Sequence, residues 1–268
     1  MTLRRTVLPA ATAVLWDILE NEPLLKGFSL VGGTALALRI AHRQSEDLDF
    51  ACVSEKLPSH RIDQLVHKIE EKGIHVELIS DLAEEQNFLN DGLELRDYQR
   101  NYVADRVKLS LFSADPELRA VLSSQPVREE GPIVPALDRL FASKVLVCAH
   151  RSKTRDWLDI YMLCTKHGFR LNDMYRVFQQ YDKYGWDSAI GRLTTMTIPS
   201  DDEGYRHMMS NPPSIEAMRE FFVKERAALA AELARSTDRE RTAARELAIS
   251  SPKKPKKGKG RGGGIGDE

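Results

Sequence analysis

The sequence predicts an α/β (α+β) protein in three parts: a mixed-sheet domain at residues 1–134, a helical domain at 135–249 and a disordered basic tail at 250–268. In the first part, short apolar runs alternate with segments of helical periodicity, which is the pattern of a sheet packed against helices. In the second part the helical periodicity continues without a strand pattern. The tail is rich in Lys, Pro and Gly and lacks the apolar residues that a folded core requires.

The elements of the first part are predicted from periodicity and from the residues that begin and end helices. Pro9 and Pro58 each lie near the start of an amphipathic segment, and Gly73 ends the second one. In chain order we expect a helix at 8–21, a strand from Phe28, a short helix after Gly33, a strand carrying Asp47 and Asp49, a helix at 58–72, and strands at 75–79, 92–101 and 104–113.

The second part is predicted to contain four helices followed by a longer, charged one. Gly168, Gly185 and the loop 197–213 separate segments that have apolar residues at helical spacing. The expected helices are 136–150, 154–167, 171–184 and 187–196, followed by an exposed, Ala-rich helix at 214–248.

The composition is that of an ordinary globular protein, with 42% hydrophobic and 29% charged residues among 268. No apolar run is long enough to span a membrane, and the first residues lack the apolar stretch of a secretion signal. Three scattered cysteines favour reduced thiols, so we expect a cytoplasmic protein that does not contact membranes. The net charge of −1 combines a tail of +4 with a body of about −5, which excludes a basic nucleic-acid module by bulk charge.

The segment 28–50 contains the residues most typical of a catalytic site. Asp47 and Asp49 are two apart in a predicted strand, so both carboxylates project from one face, about 7 Å apart. Two such carboxylates repel each other and suit a Mg²⁺ ion that also binds the phosphates of a substrate. Gly32 and Gly33 precede a predicted helix, whose free N–H groups and dipole favour a phosphate. The sequence therefore predicts a metal site and a phosphate site next to each other.

This segment resembles the first motif of the AbiEii/AbiGii-type nucleotidyltransferase toxins, within the DNA polymerase β-like nucleotidyltransferase superfamily. The resemblance covers roughly residues 8–200. The residues that carry it are Gly32, Gly33, Arg43, Ser45, Asp47 and Asp49. It implies a polymerase-β-like fold, Mg²⁺ or Mn²⁺ held by the two aspartates, and a nucleoside triphosphate (NTP) as substrate. Thr34 and Ser45 are expected to donate hydrogen bonds to its phosphates.

A second cluster of charged residues lies at 144–159. Lys144 and Arg151 are seven apart, and Asp156 and Asp159 are three apart, so each pair shares a helical face. Such spacing also arises from ordinary surface salt bridges, and on spacing alone that interpretation is the better one. The cluster resembles later motifs of the same toxin family, which implies that Lys144 and Arg151 neutralise the triphosphate. Asp156 is then a general base or orients the attacking group, with support from Asp159 and Arg155.

One position departs from the family pattern. The resemblance implies a third carboxylate on a later strand, but the corresponding stretch has Ser110, whose hydroxyl is a weak ligand and cannot act as a strong base. Three alternatives follow: Asp105 or Glu94 supplies the acid from a neighbouring position, Asp156 takes the basic role, or the protein has lost efficient catalysis and keeps only nucleotide binding. Lys108 is interpreted as a phosphate contact because its apolar neighbours alternate with it.

The resemblance implies transfer of a nucleoside monophosphate (NMP) from an NTP to an acceptor hydroxyl. The expected acceptor is RNA, such as a tRNA 3′ end, or a protein. The expected context is the toxin of a bacterial toxin–antitoxin or phage-defence pair with a cognate antitoxin. The alternative is a catalytically weak nucleotide-binding protein that acts through protein or RNA contacts, and Ser110 favours it.

Overall fold

The computed structural model describes residues 3–123, 125–126 and 128–250, and the tail predicted beyond Ser250 lies outside them. A five-stranded mixed sheet combined with helices confirms the predicted α/β fold class. The chain forms two compact units, the first ending at Arg226 and the second beginning at Ala227, inside the last helix. The domain boundary predicted at residue 134 remains a prediction. No helix among the described residues is long and apolar enough to cross a membrane.

The strands and helices follow the predicted order closely. The strands are β1 (Phe28–Val31), β2 (Leu48–Cys52), β3 (Val76–Ile79), β4 (Gln99–Ala104) and β5 (Val107–Ser113). The helices are α1 (Ala10–Leu19), α2 (Gly32–Ile40), α3 (Ser59–Glu70), α4 (Leu82–Asn90), α5 (Pro116–Leu122), α6 (Leu137–His150), α7 (Thr154–His167), α8 (Leu171–Tyr181), α9 (Trp186–Thr195) and α10 (Ile215–Ser250).

The sheet has the strand order β1-β2-β5-β4-β3, in which only β2 and β5 run parallel. β2 and β5 lie inside the sheet and β3 lies at its edge. Because of the register, Asp49 of β2 is paired with Ser110 of β5, which in turn is paired with Asn101 of β4. The side chains of directly paired residues project from the same face, so this register sets the neighbours of Asp49.

Two helices were not predicted, and the strands predicted at 92–101 and 104–113 begin later than expected, at Gln99 and Val107. α4 buries none of its residues, so it has no periodic apolar face to reveal it, and it begins where the Asp81 carboxylate accepts from two N–H groups. α5 begins at Pro116 and is capped by the Asp115 side chain. This pair is typical of a helix start, so the sequence contained a signal for α5 that the prediction did not use. The strand predicted at 92–101 is confirmed only from Gln99, because a short 3₁₀ turn precedes it.

A buried ion cluster fixes the loop between α2 and β2 onto α7. Asp159 of α7 is fully buried and receives the Arg43 guanidinium through Nε at 2.7 Å and Nη2 at 3.0 Å. The same carboxylate accepts from His42 Nε2 at 2.6 Å and pairs with Lys144 of α6 at 2.8 Å. Burial by itself would raise the pKa of Asp159, but the charges of Arg43 and Lys144 and the His42 hydrogen bond hold it well below its ordinary value of 3.8.

Replacing Asp159 by Asn should lower the free energy of unfolding by about 3–5 kcal/mol, because it leaves the buried Arg43 guanidinium without its counterion. Lys144 retains Asp156 as a partner, so the loss is attributable mainly to Arg43. Urea unfolding followed by circular dichroism measures the change. The matched control is Asp63→Asn, which breaks the exposed pair with Arg100 and should cost less than about 1 kcal/mol. Equal, small losses in both variants would contradict the role given to the cluster.

The loss of stability caused by Asp159→Asn should depend on pH. The pKa of Asp159 is lower in the folded state than in the unfolded chain. The Asp159 anion therefore stabilises the fold fully when the pH is above the pKa of the unfolded chain, which is about 4. The stabilisation is lost as the pH falls below that value towards the folded one. The difference in unfolding free energy between the wild type and Asp159→Asn should therefore be constant from neutral to mildly acidic pH and shrink on further acidification. A difference that grows on acidification would show that Asp159 is not bound as its anion.

Candidate active site

The two acids expected to bind metal lie at the start of β2 and line one cavity. Asp47 precedes the strand by one residue and Asp49 is inside it. Burial raises the pKa of Asp49, and the negative charge of Asp47 raises it further. Lys108, Lys144 and a hydrogen bond from Ser110 oppose that shift. Burial therefore disfavours the Asp49 anion most, and the adjoining charge of Asp47 adds to that cost, which a divalent cation between the two carboxylates would lower.

The two glycines are required by the close approach of site side chains. They are the first residues of α2, whose N-terminus has no side-chain cap and so presents free N–H groups. Gly32 has φ +72°, and a Cβ there would lie 2.6 Å from Asp49 Oδ2. A Cβ on Gly33 would collide with the Arg43 guanidinium and lie 2.9 Å from Ser45 Oγ. Glycine at both positions lets an acid and a cation reach the helix N-terminus.

Some residues of α2 and of the loop between α2 and β2 line the cavity, and others support its wall from within the protein. Arg43 and Ser45 line the cavity. The Thr34 hydroxyl donates to the backbone carbonyl of Asp47 and contacts Ser45 Oγ at 2.9 Å. Thr34 therefore positions the acid-bearing segment from within the protein, and its hydroxyl is not directed at the cavity. Arg39 lies one helical turn before Arg43 in the chain. Its guanidinium donates to backbone carbonyls and does not line the cavity.

Two cations of the second cluster meet one carboxylate. Asp156 Oδ1 lies 2.9 Å from Lys144 Nζ, and Asp156 Oδ2 accepts from Arg151 Nε at 2.9 Å. α6 ends at His150, so Arg151 reaches this position from the extended residue after the helix and not from a shared helical face. Burial alone would lower the pKa of Lys144, but the charges of Asp156 and Asp159 raise it. Burial would raise the pKa of Asp156, but Lys144 and Arg151 lower it.

These elements enclose a polar cavity of about 150 Å³. The side chains predicted for the site line it, except Thr34 and Asp159, which lie behind its wall. The lining residues are Gly32, Gly33, Arg43, Ser45, Asp47, Asp49, Lys108, Lys144, Arg151, Lys153, Arg155 and Asp156. Lys153 was missed, although the basic run between α6 and α7 could have indicated it. Arg155 is also paired with Glu203 at 3.3 Å.

Ser110 of β5 is paired with Asp49 of β2 and lies beside it. It is buried, and its hydroxyl hydrogen-bonds to Asp49. Neither alternative acid lines the cavity: Asp105 accepts from the backbone N–H of His75, and Glu94 precedes a 3₁₀ turn. Within the described residues, no group of three or more His, Cys, Asp or Glu side chains could hold a metal ion. Any cation here would rely on Asp47, Asp49 and oxygens of the substrate.

Comparison with known proteins identifies relatives of this chain. The family model described as the nucleotidyl transferase AbiEii toxin of type IV toxin–antitoxin systems matches residues 13–236. The uncharacterized protein aq_aa25 of Aquifex aeolicus (strain VF5) is 27% identical over 201 residues, which cover 74% of this chain and 85% of that protein.

Two solved structures are similar at low identity. JHP933 from Helicobacter pylori matches 91% of this chain and 100% of its own, with 16% identity and a TM-score of 0.47. MenT4, a nucleotidyltransferase toxin from Mycobacterium tuberculosis, matches 78% of this chain and 77% of its own, with 12% identity and a TM-score of 0.43. Because the family match spans most of its length, the chain belongs to the nucleotidyl transferase AbiEii toxin family of type IV toxin–antitoxin systems.

Proposed function

We propose that this protein transfers an NMP from an NTP to an acceptor hydroxyl, with Mg²⁺ or Mn²⁺ as cofactor. The observation that carries the proposal is one cavity in which Asp47 and Asp49 adjoin the N-terminus of α2 and face Lys144 and Arg151. In the reaction the acceptor oxygen bonds to the α-phosphorus, and the bond from this phosphorus to the oxygen that bridges to the β-phosphorus breaks. Pyrophosphate leaves, and the hydroxyl proton passes to a base, either Asp156 or solvent water.

The residues present fit a divalent cation that is shared with the substrate. Asp47 and Asp49 would hold it, because both line one cavity in which burial and the charge of Asp47 raise the pKa of Asp49. When bound, the cation supplies positive charge that stabilises the transition state of phosphoryl transfer. Two carboxylates suffice because Mg²⁺ is commonly bound through one or two carboxylates and substrate phosphates.

The chain's own groups bind and orient the triphosphate. The N–H groups at Gly32 and Gly33 and the hydroxyl of Ser45 donate to phosphate oxygens, and Arg43 and Lys108 add positive charge. Lys144 and Arg151 neutralise the charge that develops on the departing pyrophosphate.

Two roles are proposed for Asp156. It is the general base, or it orients the attacking group. Its lowered pKa makes it a weak base at neutral pH, and both of its oxygens are occupied by cations. These contacts support a positioning role, in which Asp156 holds Lys144 and Arg151 beside the phosphates.

For the acceptor we propose RNA, such as a tRNA 3′ end, or a protein hydroxyl, with a cognate antitoxin encoded nearby. The family supports a toxin of a toxin–antitoxin pair, and a role in phage defence and a cytoplasmic location belong to the same proposal. The basic groups at the cavity rim, Arg151, Lys153 and Arg155, support a polyanionic acceptor.

The second candidate is a nucleotide-binding protein with weak catalysis. Ser110 favours it, because this hydroxyl replaces an acid beside Asp49 and leaves the site with fewer anionic ligands. The two candidates differ in one observable: both bind NTPs, but only the enzyme releases pyrophosphate.

Replacing Asp49 by Asn should reduce transfer by at least about 100-fold, because it removes one of two acidic groups at the reacting phosphorus. The fold should survive, since the substitution also removes the repulsion between Asp49 and Asp47. The assay follows label from each α-³²P NTP, with Mg²⁺, into total bacterial RNA or protein on denaturing gels. The control is Asp63→Asn on the surface. Full activity in Asp49→Asn would refute the acid-pair assignment, whereas binding without label in the wild type would establish the second candidate.

Replacing Arg151 by Gln should weaken NTP binding by about tenfold or more, since one charge-assisted contact to phosphate is lost. Its side chain is 57% exposed, so the stability of the fold should change little. Isothermal titration with a non-hydrolysable NTP measures the affinity. Arg96→Gln, an exposed arginine outside this cavity, is the matched control. Unchanged affinity in Arg151→Gln would mean that Arg151 only supports Asp156.

A further inference from the structure

A second cavity adjoins the polar one and has a different character. It has a volume of about 290 Å³ and shares Gly32, Asp49, Lys144 and Arg151 with the polar cavity. Its other lining residues are mostly apolar or uncharged, among them Phe112, Leu118 and Val147, and Glu117 also lines it. Phe112 and Leu118 pack against a small buried cluster below it and remain half-buried. Apolar surface is therefore left uncovered beside a charged site, which is typical of a ligand pocket.

The order of side chains along β5 explains the change in character. Lys108, Ser110 and Phe112 are spaced by two residues, so they project from one face at intervals of about 7 Å. Lys108 lines the polar cavity, Ser110 lies beside Asp49, and Phe112 lines the apolar cavity. Along one face of β5, a cationic side chain is therefore followed by a position beside Asp49 and then by an aromatic ring.

α6 repeats this order on the opposite wall. Lys144 lies at the junction of the two cavities, and Val147, three residues later on the same helical face, lines only the apolar one. An NTP has the matching sequence of groups: charged β- and γ-phosphates, the reacting α-phosphate, and then the nucleoside with its flat apolar base. With the α-phosphate at Asp49, the two ends of the substrate fall into the two cavities.

The edge of the apolar cavity contains an acceptor with no partner. Among the residues that the structure describes, the half-buried Glu117 carboxylate forms no hydrogen bond or ion pair. An ionised carboxylate only accepts hydrogen bonds. It therefore favours bases with an exocyclic amino group over uracil, whose edge presents carbonyl oxygens on both sides of its single N–H.

We propose that the cavity between β5, α5 and α6 is the nucleoside subsite of this protein, and that Glu117 selects NTPs with an amino-bearing base. This inference rests on the proposed function and adds to it the location of the base and the residue that selects it. Phe112 and Val147 bind the base through its apolar faces, and Glu117 accepts from its amino group.

The experiment compares the four NTPs with inorganic tripolyphosphate, which carries the phosphates without a nucleoside. Affinities are measured by isothermal titration of the full chain with Mg²⁺. The wild type should bind ATP, GTP and CTP more tightly than tripolyphosphate, and at least one of them about tenfold more tightly than UTP. Val147→Phe, which fills the cavity, should reduce NTP affinity about tenfold or more and leave tripolyphosphate affinity unchanged. Its matched control is Val14→Phe at an exposed position of α1.

Glu117→Gln tests the selectivity without changing the shape of the cavity. The amide can donate as well as accept, so the preference against UTP should fall about tenfold while tripolyphosphate binds as before. Glu84→Gln, also in the first turn of a short helix, is the control. Equal binding of NTPs and tripolyphosphate by the wild type, or unchanged NTP affinity in Val147→Phe, would refute the subsite. An unchanged preference in Glu117→Gln would refute the role of Glu117. If neither NTPs nor tripolyphosphate bind, the proposed function itself fails, and the subsite with it.

Discussion

The Asp159 carboxylate is fully buried on α7 and is surrounded by Arg43, His42 and Lys144. Burying an ionised carboxylate is costly unless several donors satisfy it, so these groups must stay together for the fold to persist. Arg43 belongs to the loop that leads into the acid pair, and Lys144 belongs to α6, which lines the same polar cavity. This one anion therefore fixes the distance between the two groups of site residues.

The ion pairs of Asp159 extend to the other charged residues of the polar cavity. Lys144 is shared between Asp159 and Asp156, and Asp156 also binds Arg151. These cations are therefore held in ion pairs within the protein. Burial and the charge of Asp47 raise the pKa of Asp49, and Lys108, Lys144 and a hydrogen bond from Ser110 oppose that shift only in part. The polar cavity thus combines cations that are fixed by ion pairs with a crowded pair of carboxylates.

Much of the fold follows from local patterns. The helices after Pro135 were predicted within a few residues, because each has buried residues at helical spacing and ends near a glycine or a loop. α4 was missed because it buries nothing, so no periodicity marks it. The strand predicted from residue 92 was too long, since alternation alone does not distinguish a 3₁₀ turn from a strand.

The sequence by itself determined the fold class, the family and most residues of the polar cavity, because these depend on local spacing, such as two glycines at a helix start and acids two apart in a strand. Tertiary structure alone decided which groups meet. The parallel pairing of β2 with β5 sets Ser110 beside Asp49, and burial directs Thr34 and Asp159 into the protein, behind the cavity wall. It also set Phe112, Val147 and Glu117 around a second cavity. Such contacts join residues far apart in the chain, and their geometry follows from packing and burial, which no local pattern records.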